Sequence, residues 1–373
     1  MRILIGTAVL GLMMASVQAM TVEDGLRQEA KALRPQAVKA IMTAVADWQL
    51  ANPVNRRRTD WTHGALFAGL VALGQMPGCE RYLEVLKAIG QENNWQLGPR
   101  PYHADDHCVG QMYIALYRIY RDPNMVGPLK ERFDWILANP SDVTLEYGKQ
   151  QGKDRWWWCD ALFMAPPFWA GLADLTGQRR YLDFMDKEWW ATTDYLYDKQ
   201  EHLYLRDSRF FERREANGQK VFWSRGNGWV FAGLVRVLDL MPKDHPNYDR
   251  YRQLYLEMAQ RLIQVQGEDG LWRSSLLDPN AYPVPESSGS GFFCYGLAWG
   301  CNKGWLGESY KDAVIKAWRG LLDCVHADGK LGYVQPIGDS PNKVNADSTD
   351  IYGIGAFLLA ASEVYKMAVD EST

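Results

Sequence analysis

The chain has 373 residues, 47% of them hydrophobic and 23% charged, with a formal net charge of −4 at pH 7. That balance excludes a disordered or fibrous chain, and the slight acidity offers no electrostatic footprint for nucleic acid or an anionic lipid surface. The 16 Trp and 19 Tyr are types with an apolar body and a polar handle, suited to stacking on flat ligands such as sugar rings as well as to core packing.

At the amino terminus, Met1-Arg2 is a basic n-region, Ile3 to Met14 an apolar h-region and Val17-Gln18-Ala19 a small-residue cleavage site. This pattern predicts a secretory signal peptide over 1–19, with residues 20–373 exported to the periplasm or the medium as one catalytic domain. The apolar run is too short for a bilayer-spanning helix and no other stretch approaches that length, so no membrane anchor is expected. No Gly/Ser/Pro-rich linker or charge run divides the remainder. The six cysteines (Cys79, Cys108, Cys159, Cys294, Cys301, Cys324) lack metal-ligand spacing and lie in or beside apolar runs, which predicts buried free thiols.

Six segments share one form, a polar or aromatic opening followed by a small-residue-rich apolar helix: Trp61 to Gly74, Asp106 to Tyr120, Asp160 to Gly177, Arg225 to Met241, Ser288 to Gly300 and Asp350 to Lys366. Their openings are 45, 54, 65, 63 and 62 residues apart, a spacing that fits a helical hairpin plus loops. Between them run two-faced helices: Pro35 to Ala51, Arg81 to Asn93, Pro128 to Ala138, Arg180 to Tyr197, Tyr248 to Val265 and Tyr310 to Val325. A helix apolar all round is buried and a two-faced one lies outside. Six alternations therefore predict an all-α fold, the (α/α)6 barrel of six inner and six outer helices, with an open solenoid as the alternative. Strand signals are confined to short hairpins such as Tyr204-Leu205 with Phe210-Phe211, and Leu271-Trp272.

In such a ring the inner-helix N-termini share one end, so the six openings converge on one mouth. Trp61 either lines that mouth or covers its rim. His103-Ala-Asp105-Asp106-His107 places two adjacent carboxylates at the second opening. Asp106 is chosen over Asp105 to face the mouth because it stands nearer the apolar run, and no companion cluster elsewhere completes a metal site. Arg155-Trp-Trp-Trp-Cys-Asp160 delivers a single acid among indoles. Poor solvation raises the pKa of such a carboxyl, as a general acid requires, while an N-cap role for Asp160 fits the residues equally well.

Trp223-Ser-Arg225-Gly-Asn-Gly-Trp229 lacks the glycine spacing of a nucleotide loop. Arg225 is either a buried ion-pair partner or a fork for a carboxylate-bearing sugar, and Trp229 shares its helix face. Pro285-Glu-Ser-Ser-Gly-Ser-Gly291 reads as a loop and cap, and Asp347-Ser-Thr-Asp350 as a structural cap on the last inner helix.

Taken together, Asp106-His-Cys-Val-Gly110, Trp158-Cys-Asp160-Ala-Leu-Phe-Met164, Trp223-Ser-Arg225-Gly-Asn-Gly-Trp229, Glu286-Ser-Ser-Gly-Ser290 and Tyr352-Gly-Ile-Gly-Ala-Phe-Leu-Leu-Ala360 resemble the unsaturated rhamnogalacturonyl hydrolases of glycoside hydrolase family 105. They also resemble the related unsaturated glucuronyl hydrolases of family 88. The resemblance implies release of a 4,5-unsaturated uronic acid from the non-reducing end of oligosaccharides left by polysaccharide lyases, including those from pectin.

By the same resemblance Asp160 is the general acid/base and Asp106 the second carboxylate, while Met164, Arg225 and Trp229 line the sugar subsite; Trp61 and Trp223 are placed there with them. Where many members read Leu-Phe-Tyr-His, this chain reads Leu203-Tyr204-Leu205-Arg206-Asp207, which puts Arg206 where a substrate-contacting histidine is expected. No metal or organic cofactor is required, the partner is the oligosaccharide alone, and a monomer is expected. Two other readings stay open: a conventional inverting glycosidase or sugar epimerase on the same barrel, and a catalytically silent carbohydrate-binding protein.

Overall fold

The computed structural model describes residues 22–150 and 152–370; the expected signal peptide lies outside them. In chain order the helices are α1 (Asp24–Lys31), α2 (Pro35–Ala51), α3 (Trp61–Gly74), α4 (Arg81–Glu92), α5 (Gly110–Tyr120), α6 (Gly127–Ala138), α7 (Ala161–Met164), α8 (Pro166–Thr176), α9 (Arg179–Leu196), α10 (Ser224–Leu238), α11 (Tyr248–Gln264), α12 (Ser287–Asn302), α13 (Glu308–Asp323) and α14 (Ile351–Asp370). Helices α3, α5, α8, α10, α12 and α14 each pack on the next, and α14 returns to α3, closing the inner ring of the (α/α)6 barrel. Helices α2, α4, α6, α9, α11 and α13 stand outside it. No helix among the described residues is long and apolar enough to cross a membrane.

The division between layers follows from side-chain distribution. Every residue from Thr62 to Val71 in α3, and from Ser287 to Gly300 in α12, is buried. Outer α11 buries Tyr248, Tyr251, Leu254, Tyr255, Met258, Ala259 and Leu262, one stripe at helical spacing. Small residues let the inner backbones touch: a Cβ at Gly355 would lie 2.2 Å from the Ala65 carbonyl, so α14 and α3 meet only because it is absent.

Several elements depart from the sequence expectation. The run from Asp160 breaks into α7 and α8 at Pro166, whose missing N–H and ring restart the helix. The opening at 104–107 is a turn of 3-10 helix, and α5 starts only at Gly110. The hairpin pairs Tyr197–Asp198 with Leu203–Tyr204, while Phe210 ends a 3-10 turn. Helix α1 was not foreseen; it wedges between α2 and α13, with Trp318 Nε1 donating to the Ala30 carbonyl at 3.0 Å. All six cysteines are free, and all but Cys301 are buried.

Candidate active site

The first turns of the inner helices meet at one end of the barrel. The Trp61 ring stacks on Tyr352 at 5.4 Å and meets Trp229 edge-on at 6.0 Å. Trp229 in turn contacts Phe163 at 4.8 Å and Phe292 at 4.3 Å. Five inner-ring segments thus interlock beneath the mouth. The half-buried Trp61 is at its surface, whereas Trp229 and Met164 are fully buried below it.

Asp160 is delivered by a braced loop. Arg155 donates to Glu188 through Nε at 2.8 Å and Nη2 at 3.1 Å, and Thr192 Oγ1 donates to the Trp156 carbonyl, fastening the tryptophan run to α9. The three indoles then diverge: Trp156 is buried against Phe184, Trp157 packs on Tyr147 at the rim, and Trp158 covers His103 at 4.8 Å. Asp160 precedes α7 but makes no capping hydrogen bond with its side chain. Its Oδ2 accepts from the Cys159 thiol at 3.5 Å and lies 3.3 Å from Arg206 Nε. Burial pushes its ionisation up, against the pull of the Arg206 charge.

The adjacent carboxylates at the second opening face different ways. Asp106 accepts from Arg100 N at 2.7 Å, Nε at 3.1 Å and Nη2 at 2.7 Å. It is pressed against Gly98, where a Cβ would lie 2.3 Å from its Cγ. Burial works against its charge, but those bonds and the Arg100 charge hold it below the usual carboxylate range. Asp105 is pushed up to about 7, first by burial and then by the charge of Asp160.

Asp105, passed over in the sequence because of its distance from the apolar run, is therefore the carboxyl that senses Asp160, and Asp106 belongs to an ion pair with the 98–100 loop. Both carboxyls are thus pushed toward the protonated form, with the Arg206 charge opposing the push at each. His103, His107 and His63 are all pushed down to about 4, chiefly by burial, so they are neutral when this pair is poised.

Arg225 is brought to the mouth, but not as an open fork. Its Nη1 donates to the Gln335 carbonyl and to Tyr352 Oη at 3.3 Å, and its Nη2 to the Pro336 carbonyl at 3.1 Å and the Gly338 carbonyl at 3.5 Å. The guanidinium lies between Trp223 at 4.6 Å and Tyr352 at 4.7 Å. Trp223 Nε1 donates to Gln335 Oε1 at 3.0 Å, so Trp223 and Arg225 both clamp the 335–338 segment over the barrel end. That segment has no periodic pattern, and sequence reasoning did not connect it to the site.

Glu286 accepts from Ser288 N at 3.0 Å, Gly289 N at 2.7 Å and Gln335 N at 3.1 Å, capping α12 while holding the same segment. Asp350 receives both Nη groups of Arg56 at 2.5 and 2.8 Å, a structural pair as expected of it.

The family model for glycosyl hydrolase family 88 matches residues 35–368. An unsaturated 3S-rhamnoglycuronyl hydrolase from Formosa agariphila is 42% identical over 349 residues, covering 90% of this chain and 93% of that protein. Two solved structures each superpose with a TM-score of 0.82. One is described as a polysaccharide lyase, with 30% identity over 91% of this chain and 99% of the other. The second is a glycosyl hydrolase family 88 protein from Bacteroides vulgatus, with 29% identity over 89% and 99%. The six-hairpin barrel is thus shared architecture, and the chain belongs to glycosyl hydrolase family 88.

Proposed function

We propose that the protein hydrolyses 4,5-unsaturated uronyl oligosaccharides produced by a lyase, releasing the unsaturated uronate from the non-reducing end. The partner sugar is rhamnose sulfated at O3, the reading of the relative's 3S-rhamnoglycuronyl substrate, in preference to a pectic rhamnose. The observation that carries the reaction type is the buried Asp160 among its indoles, with Asp105 as its partner carboxyl.

The chemistry follows from the substrate's vinyl ether. The C4=C5 electron pair takes the proton of Asp160 at C4, leaving positive charge shared by C5 and the ring oxygen. Water adds at C5 and returns its proton to the Asp160 carboxylate, and the hemiketal opens to a C5 ketone. That opening converts C1 into a hemiacetal, from which the partner sugar departs. One acid thus serves both proton transfers. The Asp105 carboxylate stabilises the cation, and Trp61, Trp157 and Trp158 restrict water at the mouth. Export is part of the proposal and rests on the Met1 to Ala19 pattern.

Ultraviolet absorbance of the C4=C5 bond tests the reaction. Incubation with the lyase products of a polysaccharide that alternates uronate with O3-sulfated rhamnose should extinguish it. A lyase on this barrel would raise absorbance with the intact polysaccharide, and a silent binding protein would leave both samples unchanged; either result contradicts the proposal.

A further inference from the structure

Arg206 holds a place that the reaction above leaves unused. Its Nε lies 3.3 Å from Asp160 Oδ2 but off the hydrogen-bond line, leaving a buried N–H without an acceptor. The remainder of the side chain is fixed. Nη1 donates to Asp207 Oδ2 at 2.7 Å, and the guanidinium carbon lies 5.4 Å from the centre of the Trp157 ring. Asp207 is fully buried and is itself gripped by Arg209 at 2.9 and 2.7 Å. The Arg206 carbonyl accepts from Cys159 N at 2.9 Å, which ties the position of this arginine to that of the acid. A guanidinium braced on one edge and open on the other is a preorganised receptor for a planar anion.

The substrate supplies such an anion in the right corner. The proton goes to C4, and the C6 carboxylate is carried by C5, the adjacent atom. An acid within reach of C4 therefore has the carboxylate beside it, where Arg206 stands 3.3 Å from Asp160 with an unfilled Nε; Arg225 Nε is unfilled too, but both its Nη groups are held on carbonyls of the 335–338 segment and it forms no ion pair with Asp160. A sulfate on the partner sugar lies across the ring, beyond C1. We propose, building on the reading above, that Arg206 receives the substrate's C6 carboxylate, and that this contact draws its charge away from Asp160.

The groups facing Asp160 are Arg206, Arg225, Asp105 and the Cys159 thiol, while His103 and Asp207 face Arg206. Among them only Arg206 forms an ion pair with Asp160. The charge of the substrate's carboxylate offsets that of Arg206, which removes the attraction that favours the ionised form of Asp160. Cys159 stays a thiol throughout, because burial pushes its ionisation far up.

The test compares an unsaturated uronyl–rhamnose disaccharide with its C6 methyl ester on the wild type, Arg206→Gln and Arg206→Lys, with circular dichroism as the check on folding. The wild type is expected to show a KM for the ester about ten- to a hundredfold above that for the acid, the range for losing a charge-assisted hydrogen bond. Arg206→Gln should treat the two compounds alike, and Arg206→Lys should keep a weaker preference for the acid.

With the acid on the wild type, the basic limb of kcat, which reports the complex, lies at higher pH than that of kcat/KM, which reports the free enzyme. Arg206→Gln moves both limbs to higher pH, and the ester on the wild type brings them together at the lower position. Equal KM values for acid and ester on the wild type, or limbs unmoved by Arg206→Gln, overturn the proposal. Failure of both compounds to lose absorbance refutes the hydrolase reading instead; calorimetric titration of acid against ester then still decides the carboxylate contact.

Discussion

Replacing Asp105 and Asp106 separately by Asn distinguishes the two carboxylates that adjoin in sequence and part in space. Asp106→Asn surrenders the charge that Arg100 grips through three hydrogen bonds. Arg100 is 53% exposed, so the ion pair itself is screened and contributes about 0–1 kcal/mol. The bond from the Arg100 backbone adds about 1 kcal/mol, giving an expected loss of about 1–2 kcal/mol in denaturant unfolding with near-normal turnover in the folded fraction.

Asp105→Asn removes the like charge beside Asp160 and leaves Arg206 in place. The charge of Asp160 stands second only to burial in raising Asp105, and a like charge so placed shifts a carboxyl by about one to two pH units. The variant should stay folded while the basic limb of its rate profile moves to lower pH by about one to two units, cutting turnover at neutral pH about ten- to a hundredfold. The assay is loss of C4=C5 absorbance against pH, normalised to folded protein. A larger turnover loss for Asp106→Asn than for Asp105→Asn, at equal folded fraction, would refute the assignment of Asp105 as the partner carboxyl.

Asp160→Asn should preserve the fold and substrate binding but remove nearly all turnover, because an amide cannot give and retake the proton; near-normal rates in a folded variant would defeat the role. For Asp207, burial opposes the charge, but hydrogen bonds from Arg209 and Arg206 hold the pKa below the usual range. Its contribution to stability is therefore present above the unfolded carboxylate pKa of about 4 and is lost as pH falls through the lower folded value. Asp207→Asn, which leaves two guanidinium groups short of a partner, should lower stability by about 3 kcal/mol at neutral pH and flatten the acid limb of an unfolding-against-pH curve. A variant as acid-sensitive as the wild type would show that this pair does not govern that limb.

The barrel was legible because it depends on local periodicity: helices apolar all round, such as α3 and α12, alternating with one-sided helices such as α11. Pro166 was visible in the sequence, and its missing N–H and ring part α7 from α8 within what otherwise reads as one apolar run. Helix α1 is short and polar, and only its tertiary contacts with α13 hold it. The indole setting of Asp160 could be read directly, since neighbouring residues create it.

The choice between Asp105 and Asp106 could not be read that way. Both sit on one 3-10 turn, and what separates them is Arg100, reaching back from an aperiodic loop. Likewise Arg225 gives its Nη groups to carbonyls more than a hundred residues away, so its engagement was invisible in the motif that contains it. Arg206 was noticed only as a departure from the family pattern; its contact with Asp160 needed the fold.

Protonation at carbon, rather than at the glycosidic oxygen, is the claim on which the rest depends. Turnover of an unsaturated uronyl disaccharide in heavy water, followed by nuclear magnetic resonance of the released keto-sugar, measures it directly. The account predicts one solvent deuterium at C4; a product with only hydrogen at C4 would contradict it.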